Sequence, residues 1–327
     1  VNPAVRLLAS AGVHLAARGL ARGRLSILIY HRVLAQADAI NTWDVTAAQF
    51  DAHMAQLAAH FAPLPLEEAV DRLGRNALPN GAVCVTFDDG YADNFSVALP
   101  ILQRHRIPAT FFIATGYLNG GRMWNDTVGE AVRAAEGDQL DLTAVGLGQL
   151  PLGDGASRRG TIVRILDAIK HRPPGAREEA VQYIVGKVGK PLRDDLMLGD
   201  AQVLALRRAG MAIGAHTRTH PILSNVDAQA ARTEIADSRR YLGDLLREPV
   251  TLFAYPNGKP QLDYRAEHAR MVREAGFRAA VSTAHGVAAP GCDPYQLPRQ
   301  GPWDRDPVTF SLRLARSYLG AGAPAAV

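Results

Sequence analysis

Four short apolar runs in this chain each stop abruptly at polar side chains, with helix-patterned stretches between them, and that alternation permits few folds. The runs are Leu25–Tyr30, ending at His31; Val83–Phe87, ending at Asp88 and Asp89; Met211–Ala215, ending at His216; and Thr251–Tyr255, ending at Pro256. Strands that alternate with helices pair in parallel, so the pattern predicts an α/β fold with a largely parallel sheet. In α/β barrels the carboxyl ends of the strands converge on one rim, which carries the chemistry. Four strand ends are therefore expected to meet there.

Helical spacing is read over Ala47–His60, Leu66–Leu73, Asn94–His105, Asp200–Ala209, Asp227–Leu246, Asp263–Ala275 and Pro307–Tyr318, with further strands at Ala109–Ile113 and Arg278–Ser282. The alternation breaks between about 120 and 200, a stretch rich in glycine with Pro173 and Pro174. Only two helices are read there, near Thr161–Lys170 and Arg177–Val188, and no β-rich run. This segment is expected to be an insertion that shapes the substrate site or covers one side of the domain. The economical organisation is an amino-terminal helix over 1–24 and one domain over 25–320 that carries the insertion.

Adjacent carboxylates at a strand end repel one another and lose hydration, so Asp88 and Asp89 call for a shared cation or proton. His216 and His220, four apart after another strand, can both present ring nitrogens to one divalent ion, most often zinc. Asp89, His216 and His220 give three ligands and leave positions open, the pattern of a catalytic zinc site. Zinc is the first expectation, although the same donors accept cobalt, nickel or iron. Asp88 is then placed to act as general base, a backbone N–H near Tyr255 to support an oxyanion, and His31 to act as the acid.

Composition adds exclusions. The 327 residues are 47% hydrophobic and 21% charged, with a net charge of +4 spread along the chain, and no basic cluster interleaved with aromatics points to nucleic acid. Two cysteines, Cys84 and Cys292, cannot form a disulfide framework, and Cys84 is expected to be a buried thiol. The segment Asn2–Leu20 lacks the apolar length of a membrane span and the pattern of a secretory signal. It reads as a helix packed on the domain or lying at a membrane surface, so membrane association and compartment, cytoplasm or cell envelope, stay open.

Thr86-Phe87-Asp88-Asp89-Gly90 and His216-Thr217-Arg218-Thr219-His220 resemble the first two motifs of polysaccharide deacetylases, the NodB-homology domain of carbohydrate esterase family 4. Tyr30-His31-Arg32-Val33 and Phe253-Ala254-Tyr255-Pro256-Asn257-Gly258 resemble the subgroup containing bacterial poly-N-acetylglucosamine deacetylases, and the likeness runs from about Leu25 to Arg299. The resemblance implies a distorted (β/α) barrel with fewer than eight strands and a divalent metal at Asp89, His216 and His220. It also implies Asp88 as base, oxyanion support around Tyr255, and an acid moved to the amino-terminal strand, where His31 stands. The arginine that usually opens the third motif is missing from Thr251-Leu252-Phe253, and Arg299 is the expected substitute that orients Asp88. The carboxyl-terminal Leu-x-x-His motif is also missing; His285 does not match it and is read as a loop residue.

The implied activity is removal of N-acetyl groups from amino sugars of a bacterial exopolysaccharide or envelope glycan, with an acetylated polysaccharide or oligosaccharide as partner. Hydrolysis of O-acetyl esters, hydrolysis of a small non-sugar amide, and glycan binding without catalysis are the alternatives. Trp43, Trp124 and Trp303 are equally readable as sugar-stacking rings and as core or rim residues.

Overall fold

The computed structural model describes residues 23–302 and 304–320; the helix expected over Asn2–Leu20 and Trp303 lie outside the described residues. Seven strands form the continuous path of an eight-stranded central sheet: β1 (Leu25–Tyr30), β2 (Ala82–Phe87), β3 (Ala109–Ile113), β4 (Ala212–Ala215), β5 (Leu252–Ala254), β6 (Ala279–His285) and β7 (Leu297–Arg299), with the short strand Ala62–Pro63 pairing with β2 off that path. They pair in parallel and in chain order. At the seam Ile29 N donates to Gln300 O at 3.1 Å and Gln300 N to Ile27 O at 2.9 Å, so β7 returns to β1. The result is a nearly closed parallel barrel. Strand β2 is buried at every position, as expected for a strand covered on both faces.

The helices are α1 (Ala47–His60), α2 (Leu66–Gly74), α3 (Leu99–His105), α4 (Trp124–Ala134), α5 (Gly155–Ile169), α6 (Pro174–Val188), α7 (Asp200–Arg208), α8 (Ala228–Leu246), α9 (Ala266–Glu274) and α10 (Pro307–Ser317). Helix α1 starts at a capping box in which Thr46 and Gln49 satisfy each other's backbone N–H groups, and it buries Phe50, Met54 and Leu57 on one stripe. The helix expected over Asn94–His105 opens instead with a π-turn, Asn94–Ala98. Pro100 has no N–H for a regular ladder at the junction. Helix α9 starts at Ala266 rather than Asp263, because Asp263 turns back to accept the Lys259 N–H at 2.9 Å.

The segment between 120 and 200 departs from expectation in two ways. It contains a third helix, α4, and a short antiparallel hairpin, Gln139–Asp141 with Gln149–Pro151. Its apolar residues close over one another: Val128, Val132, Ile162, Ile165, Val181 and Ile184 form a core separate from that of the barrel. Both ends of the segment return to one residue of the barrel rim. Met123, Leu196 and Met197 pack around Tyr91, while Ala92 N donates to Leu196 O and Leu198 N to Gly90 O, at 2.8 and 2.9 Å.

Among the described residues no helix is long and apolar enough to cross a membrane. Cys84 is buried in β2 and Cys292 half-buried, both as free thiols. His285 is the exposed last residue of β6, paired with Arg299 in register, rather than part of a loop.

Candidate active site

The carboxyl ends of β2, β4 and β7 bring Asp88, Asp89, His216, His220 and Arg299 together. Asp89 Oδ1 lies 3.4 Å from both His216 Nε2 and His220 Nε2, and one ligand atom from each of the three residues falls within 4.8 Å of the others. His216 Nδ1 shares a 2.7 Å hydrogen bond with Ala254 O, which directs Nε2 toward Asp89. Asp89 Oδ1 is buried and has no hydrogen-bond partner among the described residues. A buried acceptor without a donor, faced by two imidazole nitrogens, fits a divalent cation, and the donor set is one that zinc accepts.

The loop carrying the histidines is held from two sides. Thr115 N and Gly116 N donate to Thr217 O and Arg218 O at 3.2 and 2.7 Å. A Cβ on Gly116 would lie 2.8 Å from Arg218 O, so only glycine allows the loop this close. From α8, Glu234 accepts the Arg218 and Thr219 N–H groups and the Thr219 hydroxyl, at 2.7–2.8 Å. These contacts hold Thr217 and His220 at φ of 62° and 53°, a left-handed region that β-branched threonine in particular rarely enters. Glu234 and Gly116 were not legible as site residues, since neither touches the cation ligands in sequence.

Asp88 is 2% exposed and gripped by Arg299, whose Nη1 and Nη2 each donate to one carboxylate oxygen at 2.7 Å. Arg299 is itself fixed by Ser282 O, which accepts from Nε at 2.9 Å, and by Thr86 Oγ1 at 3.2 Å. Burial alone would raise the Asp88 carboxyl, but the Arg299 guanidinium and His216 outweigh it and hold the group below the ordinary carboxylate range. Burial likewise opposes charge on His216, yet Asp88 and Asp89 raise its pKa above the usual imidazole value. His220, where burial dominates, is lowered to about 4. Across the rim, burial and then the charge of Asp89 push Asp126 up to about 7.

His31 is exposed and lines the same cavity as the acidic pair, with its backbone oxygen accepting from Asn94 Nδ2 at 2.8 Å. Tyr255 corrects an expectation. Its N–H is spent on Val281 O at 3.2 Å, its hydroxyl on Tyr295 O at 2.9 Å, and its ring is buried against Tyr264. The sheet continues one residue too far for that N–H to serve an oxyanion. Two residues on, Asn257 lines the cavity at φ 57° and its N–H has no partner among the described residues, which makes it the available donor. Trp43 stands 54% exposed on the cavity rim and Trp124 lines the wall, where Arg177 lies over its ring at 4.9 Å.

The polysaccharide deacetylase family profile matches residues 75–140 and 171–280, more than half of the chain, and skips the middle of the segment that the barrel does not need. The Bacillus subtilis (strain 168) protein YxkH, provisionally named a polysaccharide deacetylase, is 22% identical over 278 residues, 84% of this chain and 70% of YxkH. The Staphylococcus aureus poly-beta-1,6-N-acetyl-D-glucosamine N-deacetylase (strain N315) is 34% identical over 80 residues, which cover 24% of this chain and 28% of that protein. Among solved structures, the Streptococcus pyogenes deacetylase PplD with acetate superposes with a TM-score of 0.57 at 21% identity, over 85% of this chain and 92% of PplD. IcaB from Ammonifex degensii gives 0.57 at 20% identity, over 90% and 97%. Those two likenesses establish the barrel. Taken with the profile match across both the Asp-Asp and the His-x-x-x-His segments, they make this chain a member of the polysaccharide deacetylase family.

Proposed function

We propose that the protein is a metal-dependent hydrolase that removes N-acetyl groups from amino sugars of a bacterial exopolysaccharide or envelope glycan. In this reading residues 25–320 form the catalytic domain and about 120–200 an insertion within it. The observation that carries it is the pairing of two differently held carboxylates: Asp89 faces two imidazoles, and Asp88 is clamped by Arg299 at 2.7 Å through both oxygens. That division gives one carboxylate to a cation and the other to proton transfer.

When bound at Asp89, His216 and His220, a divalent ion, zinc by preference of these donors, supplies a Lewis acid for the acetyl carbonyl and lowers the pKa of a water. The protein's own groups do the rest. Asp88, kept ionised and aimed by Arg299, takes a proton from the attacking water. The Asn257 N–H is the backbone donor for the charge that develops on the carbonyl oxygen. His31, on the exposed side of the cavity, gives a proton to the departing amine, so amide and water become amine and acetate. Arg299 and Asp88 act as a unit.

The test is metal content together with acetate release from β-1,4- and β-1,6-linked N-acetylglucosamine oligosaccharides, for the wild type and Asp88→Asn. Metal in both proteins and acetate from the wild type alone supports the reading. Acetate released equally by both removes Asp88 from its role, and metal without acetate from either sends the search to other acyl substrates.

A further inference from the structure

The cavity of about 510 Å³ that begins at Asp88 and Asp89 does not end at the barrel rim. It continues to a wall made by α4, α5 and the loop around Asn41 and Asp44. The acidic groups along that path are mostly committed. Asp88 is held by Arg299, Glu130 lies 3.4 Å from Arg133, and Asp44 accepts from Asn41 Nδ2 at 2.7 Å.

Asp126 differs. Its two carboxyl oxygens receive only the Tyr91 hydroxyl, at 3.1 and 3.2 Å, and no cation pairs with it among the described residues. Ionised, the group offers about four acceptor positions, and protonated it keeps acceptor capacity beside one O–H donor, so in either state most of its capacity is left for a ligand. Its place in the first turn of α4 suits a negative charge for the sake of the helix alone. A solvent-facing residue would serve that purpose equally, whereas this one faces the cavity. The hydroxyl that holds it is not free to wander either: Tyr91 is 4% exposed and its ring lies 5.1 Å from the Arg32 guanidinium, which Asp93 anchors at 2.8 Å. Tyr91 also stands two residues after Asp89. The reacting end and Asp126 are thus tied to one short segment.

We infer that Asp126 is a substrate-binding residue of this site: held by Tyr91 in the cavity that also contains Asp88, it accepts hydrogen bonds from hydroxyl groups of the amino sugar whose acetyl group is removed. Sugar hydroxyls are donors that a half-buried acceptor facing a cavity can bind, and an analogue lacking the matched hydroxyl leaves that acceptor unpaired. The inference rests on the deacetylase reading for its substrate class.

It is tested by calorimetric titration of the metal-stripped full chain with tri-N-acetylglucosamine, so that turnover is silent, for wild type, Asp126→Ala and Asp126→Asn. Melting midpoint and zinc uptake are measured alongside. At least a tenfold loss of affinity in Asp126→Ala is expected, with a smaller loss in Asp126→Asn, which keeps one acceptor. Deoxy analogues of N-acetylglucosamine supply the discriminating arm: on the analogue without the matched hydroxyl, wild type and Asp126→Ala should bind alike. Equal affinity of wild type and Asp126→Ala for the trimer overturns the inference. So does a proportionate loss on every analogue, which marks a structural role, and so does a wild type that binds no trimer. A wild type that binds the trimer through Asp126 yet releases no acetate when loaded with zinc upholds the inference and sinks the deacetylase reading.

Discussion

Arg299→Ala isolates what the clamp on Asp88 contributes. The substitution deletes both 2.7 Å hydrogen bonds and leaves a carboxylate that is 2% exposed next to Asp89. Removing one partner of a buried ion pair costs about 3–5 kcal/mol while the other stays charged. Asp88 avoids most of that cost by taking up a proton, at about 1.4 kcal/mol per pKa unit. Relief of about 4 kcal/mol corresponds to an upward shift of about 3 units. Since the base must be ionised to work, the acid limb of kcat/KM against pH should move up by about 2–3 units. Turnover at pH 7 should fall further than protonation alone requires, by up to about 10²–10⁴, because the clamp that aims the carboxylate is lost as well. The assay is acetate release across pH 4–9 with zinc measured on the same samples, and zinc should stay at the wild-type level because the three proposed ligands keep their own supports. Arg299→Lys should not rescue, as an ammonium cannot bond both oxygens in the fork geometry. An acid limb in the wild-type position, or metal and turnover lost in equal proportion, would refute the reasoning.

Three further outcomes are expected. Glu234→Ala frees the N–H groups of Arg218 and Thr219 and should weaken zinc affinity about 10–100-fold with little change in melting of the metal-free protein; competition with a chromophoric chelator measures it, and unchanged affinity would show the loop is held without Glu234. His216 has a raised pKa, so in metal-stripped protein its pairing with the carboxylates stabilises fully below the unfolded value of about 6.5 and is lost as pH rises through its elevated range. Zinc needs that nitrogen bare, so the stabilisation added by zinc should rise over the same window; parallel trends in melts with and without chelator would contradict the assignment. Ile165→Ala, in the separate core of the inserted segment, should cost about 2–5 kcal/mol of local stability. Hydrogen exchange should show protection lost in α4, α5 and α6 but kept in the barrel strands, and a global loss would mean the two cores unfold as one.

Much of this architecture was readable from patterns of period and punctuation. The apolar runs before His31, Asp88, His216 and Pro256 became barrel strands because strands covered on both faces read as near-continuous apolar runs, broken here only by small polar residues such as Ser26 and Thr86. The candidate cation ligands were legible because Asp89 and His216 stand at the ends of such strands and His220 follows four residues after His216. Arg299 was reached only by asking what replaced a missing arginine. Helix α4 was missed because its buried residues, Val128, Ala131 and Val132, are small and interrupted by Gly129. The availability of a backbone N–H at Tyr255 or Asn257 depends on where a neighbouring strand stops, which no local pattern records. Asp126 and Tyr91 meet across 35 residues, and Glu234 reaches a loop from another helix, so their roles are tertiary facts.

The position of Arg299 at the barrel seam has a consequence for how the protein comes into being. During synthesis Asp88, Asp89, His216 and His220 leave the ribosome before β7, so an emerging chain carries all three candidate cation ligands while Asp88 has no guanidinium beside it. Only when Gln300 knits β7 to β1 does Arg299 reach Asp88. The pairing that closes the barrel is therefore also the one that brings the guanidinium to Asp88, so in the proposed reading the proton-transfer pair is assembled only with the last strand of the barrel.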